Sequence, residues 1–281
     1  MEQEKELNLQ TESELHVNVI GDGEAIVFLH GGPGSEHRFF LPHVLPLSQK
    51  FKLIFYDQRG CGKSNPVENN QYSMKGEIDA LETLRKEMGI EKLNLFGESW
   101  GSMLALLYAT SYPERVNKIL LTAAIGVTTE GFSTFSKELE NRLSKEDKIK
   151  LSNLEKKLKI GDAVIEDIFR VLDRYYVFSE ESLKRKEKTT MNTIVNEAIG
   201  KDINENYNLT SNLDKIKNIP IVIAQGSHDI LTPGLIKKLL LDHIPHAKLI
   251  EIEKCGHWTV VEKPNEIIEI ANDFFEPALF S

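Results

Sequence analysis

A serine becomes a nucleophile only when a base can take its proton and a third group holds that base in the right tautomer. The sequence sets one serine in surroundings suited to that task, Gly97-Glu98-Ser99-Trp100-Gly101. An apolar run of strand length (Leu93, Leu95, Phe96) precedes it, and Met103, Leu104, Leu106, Leu107 and Tyr108 follow at helical spacing. A strand that breaks into a helix through Gly-x-Ser-x-Gly must turn sharply. Gly97 and Gly101 leave the room that the neighbouring strand and helix need, and the turn lifts Ser99 Oγ to the top of a sheet. Five residues alone are a common pattern; the flanks give this one its weight.

The base and its orienting group follow in chain order. Asp229 comes after the apolar run Ile219–Ala224, in Gly226-Ser227-His228-Asp229, and His257 comes after Ala247–Ile252, in Cys255-Gly256-His257-Trp258. Ser99, Asp229 and His257 thus each sit past the C-terminal end of an expected strand, where open α/β sheets build their sites. His257 would take the Ser99 proton and pass it to the leaving group, while Asp229 holds the tautomer and stabilises the imidazolium. Asp229 is preferred to Glu251 and Glu253, which lie in or just after a strand. His228 is the rival base, but it precedes the acid and follows no strand of its own. His16, His30, His37, His43, His243 and His246 read as packed or surface residues, His30 under its glycine loop. The anionic oxygen of an acyl-transfer intermediate needs two N–H donors. Trp100, just after the nucleophile, supplies one, and Gly31 or Gly32 of His30-Gly31-Gly32-Pro33-Gly34 supplies the other.

The elements that must position these groups alternate. Leu15–Ile20 has the two-residue period of a half-exposed antiparallel strand, whereas Ala25–Leu29, Phe51–Tyr56 and Val116–Ala123 are continuous apolar runs that suit strands buried on both faces. Lys75–Met88 has a helical stripe (Ile78, Leu81, Leu84, Met88), and helices are expected around Leu235–Asp242 and over Pro264–Phe275. Strands alternating with helices at this spacing predict a mainly parallel sheet with helices on both faces, and with the Gly-x-Ser-x-Gly elbow the chain reads as an α/β-hydrolase fold. From Gly126 to Leu213 strands vanish and amphipathic helices follow one another, one with a Ser144/Asp147 capping pair, another opened by Asp162. That predicts a core over 1–125 and 214–281, and a helical cap domain over 126–213. Asp57 reads as structural, closing the loop after its strand. The glycines of Gly60-Cys61-Gly62-Lys63-Ser64 lack the spacing of a phosphate-binding loop.

The totals exclude several classes. Of 281 residues 41% are hydrophobic, enough for a sizeable core, and the net charge of −9 argues against nucleic acid as a partner. Two cysteines, Cys61 and Cys255, make no disulfide framework and suit a reducing compartment. No paired His/Cys/Asp spacing marks a metal site, so neither metal nor cofactor is expected. No apolar run reaches membrane-spanning length and the N-terminus has no signal-like apolar stretch, so a cytoplasmic protein with no membrane partner is expected.

His30-Gly31-Gly32-Pro33-Gly34, Asp57-Gln58-Arg59-Gly60-Cys61-Gly62-Lys63-Ser64 and Gly97-Glu98-Ser99-Trp100-Gly101-Ser102 together resemble the proline iminopeptidases. The resemblance extends through Ser111–Val116, Gly226–Pro233 and Cys255–His257, about two-thirds of the chain. It implies a cofactor-free α/β-hydrolase that releases an N-terminal residue, typically proline, from small peptides, with its triad at Ser99, Asp229 and His257. It also implies cap acids that hold the substrate's free amine. The cap departs from the family: its Trp-rich segment is missing, since Trp100 and Trp258 are the only tryptophans. Glu98, in the elbow, and Glu205, near the end of the cap, are the acids to test. Other readings stay open: a small-molecule esterase, amidase or lactonase on the same triad, or a ligand-binding protein on a hydrolase scaffold. The oligomeric state is not readable.

Overall fold

Among the described residues eight strands line up side by side: β1 (Leu7–Gln10), β2 (His16–Ile20), β3 (Glu24–Leu29), β4 (Phe51–Tyr56), β5 (Leu93–Glu98), β6 (Val116–Thr122), β7 (Ile221–Gly226) and β8 (Lys248–Ile252). A computed structural model describes residues 7–10 and 14–276. The strands form one sheet in the order β1-β2-β4-β3-β5-β6-β7-β8. β1, β2 and β4 pair antiparallel and every other pair is parallel, as the continuous apolar runs of the central strands require; β2, expected to be half-exposed, is instead buried along its whole length.

Because successive side chains point to opposite faces, one strand feeds two cores. In β3, Ile26 and Phe28 join the aromatic cluster of Phe40, Phe55 and Phe96, with Phe28 stacked on Phe55 and Phe96 at 4.5 and 5.0 Å between ring centres. Val27 and Leu29 join the opposite core, which packs against helices α1 (Met74–Glu87) and α2 (Trp100–Ser111). α2 is buried from Trp100 through Thr110. A helix apolar all round belongs in the middle of a molecule, and here it fixes the residue just before it, Ser99.

Between β6 and β7 the chain adds no strand to the sheet. It forms α3 (Thr129–Arg142), α4 (Lys145–Lys159), α5 (Ile165–Tyr176), a 3-10 turn over Glu180–Arg185, and α6 (Thr193–Asn206). Ser144 caps α4 as its spacing implied, its Oγ accepting from Asp147 N–H at 3.0 Å. α5 differs from expectation. It starts at Ile165 rather than at Asp162, because Asp167 reaches back to the Val164 N–H (3.2 Å) and closes the first turn there. The helix expected around Leu235–Asp242 is also divided. A single turn, α7 (Pro233–Ile236), runs into a π-turn over Lys237–Leu241, where Asp242 N–H bonds the Lys237 carbonyl five residues back at 2.8 Å. α8 (Thr259–Glu262) and α9 (Pro264–Phe275) close the described chain. Among the described residues no helix is long and apolar enough to cross a membrane.

Candidate active site

The elbow stores strain at one residue. Ser99 has φ +54° and ψ −117°, in the region of positive φ that L-residues avoid. A Cβ on Gly97 would strike the Gly101 carbonyl oxygen, and one on Gly101 would strike the carbonyl oxygen of Leu29, so both flanking positions are closed to other residues. The strained turn is held from both sides. Ser99 N–H donates to Thr122 O across the sheet (3.1 Å), and Ser102 donates to Ser99 O through its N–H (2.8 Å) and its hydroxyl (2.6 Å).

The three residues read from the sequence meet here. His257 Nε2 lies 3.0 Å from Ser99 Oγ, and His257 Nδ1 lies 2.8 Å from Asp229 Oδ1. Asp229 is fully buried and His257 is 2% exposed. The carboxylate holds the proton on Nδ1 and leaves Nε2 free to accept from the serine hydroxyl. Burial alone would lower the His257 pKa; the charge and hydrogen bond of Asp229 outweigh it, and the net shift is upward. His228, the rival base, turns elsewhere, bonding Ser227 Oγ (2.8 Å) and packing on the Phe178 ring.

Several supports escaped the sequence reading. Gln225, at the end of β7, donates to Asp229 Oδ2 (2.7 Å) and to the Leu231 carbonyl (2.8 Å), while its own oxygen accepts from Ala124 N–H (2.8 Å). Arg142, in the last turn of α3, donates to the carbonyls of His228 (2.8 Å) and Asp229. Gln58 ties the glycine loop to the elbow: its N–H donates to His30 Nε2 (3.0 Å), its amide to His30 O (2.9 Å), and its oxygen accepts from Trp100 Nε1 (2.8 Å). His30 is thus buried beneath its loop, as expected. Trp100 opens α2, so its backbone N–H has no carbonyl one turn back to bond. Gly31 and Gly32 line the same cavity as Ser99.

A second His–Asp pair stands nearby. Asp57 Oδ1 accepts from the His37 N–H (2.9 Å) and lies 2.7 Å from His37 Nδ1, and Oδ2 accepts from Lys63 N–H (2.9 Å). With His16 these two residues form the group, among the described residues, whose donor atoms are spaced closely enough to hold a cation. The carboxylate already binds three N–H groups, which fits a clamp between the glycine loop and the loop after β4. Both cysteines are buried, and burial pushes their thiols up, Cys61 and Cys255 alike.

Above Ser99 opens a cavity of about 570 Å³, walled by aromatic and aliphatic side chains that include Phe132 and Phe135 of α3, Ile168, Phe169 and Tyr176 of α5, and Trp258. Glu98 and Asp173 both face it. Asp173 is paired with Lys186 at 3.0 Å. The Glu98 carboxyl, 3% exposed, has neither hydrogen bond nor ion pair among the described residues. Burial raises its pKa to about 8, with His257 opposing and Asp229 adding to the rise. Glu205 is a correction. It does not reach the cavity but stands exposed on α6, 3.9 Å from Lys201 one turn back.

Residues 24–264 match the model of the α/β hydrolase fold family. Proline iminopeptidases of Lactobacillus helveticus and Lactobacillus crispatus are each 30% identical to this chain, covering 94% and 89% of it and the same shares of themselves. The chain belongs to the proline iminopeptidase family. It is a hydrolase of that family, with the α/β-hydrolase fold. Among solved structures, an alpha/beta fold family hydrolase from Bacillus anthracis superposes with a TM-score of 0.77 at 24% identity, covering 96% of this chain and 99% of its own.

Proposed function

We propose that the protein is a serine aminopeptidase that removes an N-terminal residue, with a preference of the prolyl type, from small peptides. The observation that carries this reading is the unpartnered Glu98 carboxyl beside the nucleophile, in a chain of this family. A buried acid left without a partner destabilises the fold, and sites keep such groups for a ligand. A free α-ammonium is the ligand that suits it. On binding it would pull the carboxyl pKa down from about 8 and complete the ion pair.

The chemistry then uses protein groups in sequence. Ser99 Oγ attacks the carbonyl of the first residue as His257 Nε2 takes its proton. The N–H groups of Trp100 and of Gly31 or Gly32 hold the oxyanion, each worth roughly 2.7–4 kcal/mol in the transition state. His257 gives the proton to the leaving amine, and water repeats the sequence on the acyl-enzyme, releasing the residue. Free, buried thiols at Cys61 and Cys255 suit a reducing compartment, and we place the protein in the cytoplasm.

The test is proline β-naphthylamide against its N-acetylated form. The aminopeptidase cleaves the first and spares the second, and Glu98→Gln raises KM for the first at least about tenfold, since one partner of a buried pair is gone. Equal rates on both, or turnover of p-nitrophenyl esters alone, would make it an esterase or amidase.

A further inference from the structure

The loop that carries His257 is anchored on one side by a segment from the helical insertion. After α5 the chain crosses this loop as Tyr176–Ser179. There the Tyr176 carbonyl accepts the N–H groups of His257 (2.7 Å) and Trp258 (3.2 Å). One side chain closes the junction. Glu262, the last residue of α8 and 7% exposed, accepts the Gly256 N–H (2.6 Å) and the Phe178 N–H (2.9 Å) on Oε2, and the Ser179 N–H (3.0 Å) on Oε1. Three backbone donors, one beside the base and two in the insertion, converge on one buried carboxylate. The Tyr176 ring from the same segment walls the cavity and lies 5.5 Å from the His257 imidazole.

We propose that Glu262 is a positioning residue for the reaction: its carboxylate locks the His257 loop to the segment that walls the substrate cavity, and so sets the base against Ser99. The proposal rests on the reading of Ser99 and His257 as nucleophile and base. Glu262 does not line the cavity and touches no reacting group, so its effect passes through the Gly256 N–H, one residue before the base. The charge is essential to the arrangement. A carboxylate offers two acceptor oxygens to three N–H groups in short, charge-assisted bonds. An amide in its place keeps one oxygen and turns an NH₂ group against an N–H. The loop then settles elsewhere, and a shift on the order of 1 Å between reacting groups costs about 10²-fold in rate.

The test uses the full chain and a fluorophosphonate probe, whose reaction with Ser99 needs the base but no particular peptide. In Glu262→Gln, the labelling rate and kcat on proline β-naphthylamide both fall about 10- to 100-fold. KM changes less than about threefold, and the downfield proton resonance of the His257–Asp229 hydrogen bond moves. Rates are compared at a temperature where circular dichroism matches the wild type. If Glu262→Gln does not hold its fold there, Glu262→Asp, which keeps the charge but draws it back by one methylene, is judged by the same outcome. A folded variant with wild-type labelling rate and an unmoved resonance overturns the proposal. A wild type that takes no label on Ser99 overturns instead the triad reading beneath it.

Discussion

Among the described residues the molecule holds two buried His–Asp pairs with nearly equal contact distances. His257 Nδ1 lies 2.8 Å from Asp229, and His37 Nδ1 lies 2.7 Å from Asp57. What separates them is the rest of each environment. Beyond His257 stands Ser99 Oγ, in a strained turn at the floor of a cavity. The His37 ring packs against His16 and Phe55. The two carboxylates also differ in what they hold. Asp229 accepts from Gln225, from the imidazole and from the Leu231 N–H two residues on, all but the imidazole from its own stretch of chain, while Asp57 gathers the backbone N–H groups of His37 and Lys63. A buried histidine–carboxylate contact is therefore no mark of catalysis by itself. The His257 pair faces Ser99 and the cavity, and the His37 pair fastens the turn after the glycine loop to the end of β4.

Substituting the two acids separates these roles. Asp229→Asn should lower kcat about 10⁴-fold with the fold intact, because the amide favours the wrong tautomer of His257. Asp57→Asn should instead cost about 3–5 kcal/mol of stability, as one partner of a buried polar junction is removed. Its folded fraction should keep kcat within about tenfold, read by denaturant unfolding beside the steady-state rate. Comparable losses of rate in both variants would erase the distinction.

A smaller effect appears in acid. Burial would raise the Asp57 pKa, but His37 and its N–H groups outweigh burial and hold it at about 2, below the ordinary 3.8. The unfolded chain binds the proton more readily, so this contribution is complete above pH 3.8 and is lost as the pH falls through about 2. It amounts to about 2 kcal/mol, and the stability gap between the wild type and Asp57→Asn should narrow by that much over this interval. A gap that stays constant would mean that folding leaves the Asp57 pKa unchanged.

That Ser99, Asp229 and His257 come together was legible from the sequence because each follows an apolar strand directly, and the strand-to-helix turn has a local glycine signature. The continuous apolar runs of the central strands were legible for the same reason, but the edge strand β1 (Leu7–Gln10), short and polar at every second position, was not read. The residues that hold Ser99, Asp229 and His257 in place were not legible. Arg142 reaches a carbonyl 86 positions away and Glu262 reaches Phe178 at a separation of 84, and neither has a local pattern to announce it. Glu205 was misplaced because position near the end of the insertion does not say which way a helix face looks; Lys201, one turn back, is its partner. The π-turn at Lys237–Leu241 stands where a regular helix was expected.

One measurement bears on the central claim most directly: mapping the adduct after fluorophosphonate treatment of the folded protein by intact mass and peptide sequencing. A single adduct on Ser99 is expected, with no label on Ser99→Ala, labelling slowed at least about 10³-fold in Asp229→Asn, and labelling within about tenfold of wild type in Asp57→Asn. An adduct on another residue, or equal labelling of Ser99→Ala, would contradict the assignment of Ser99, His257 and Asp229 as the reacting centre.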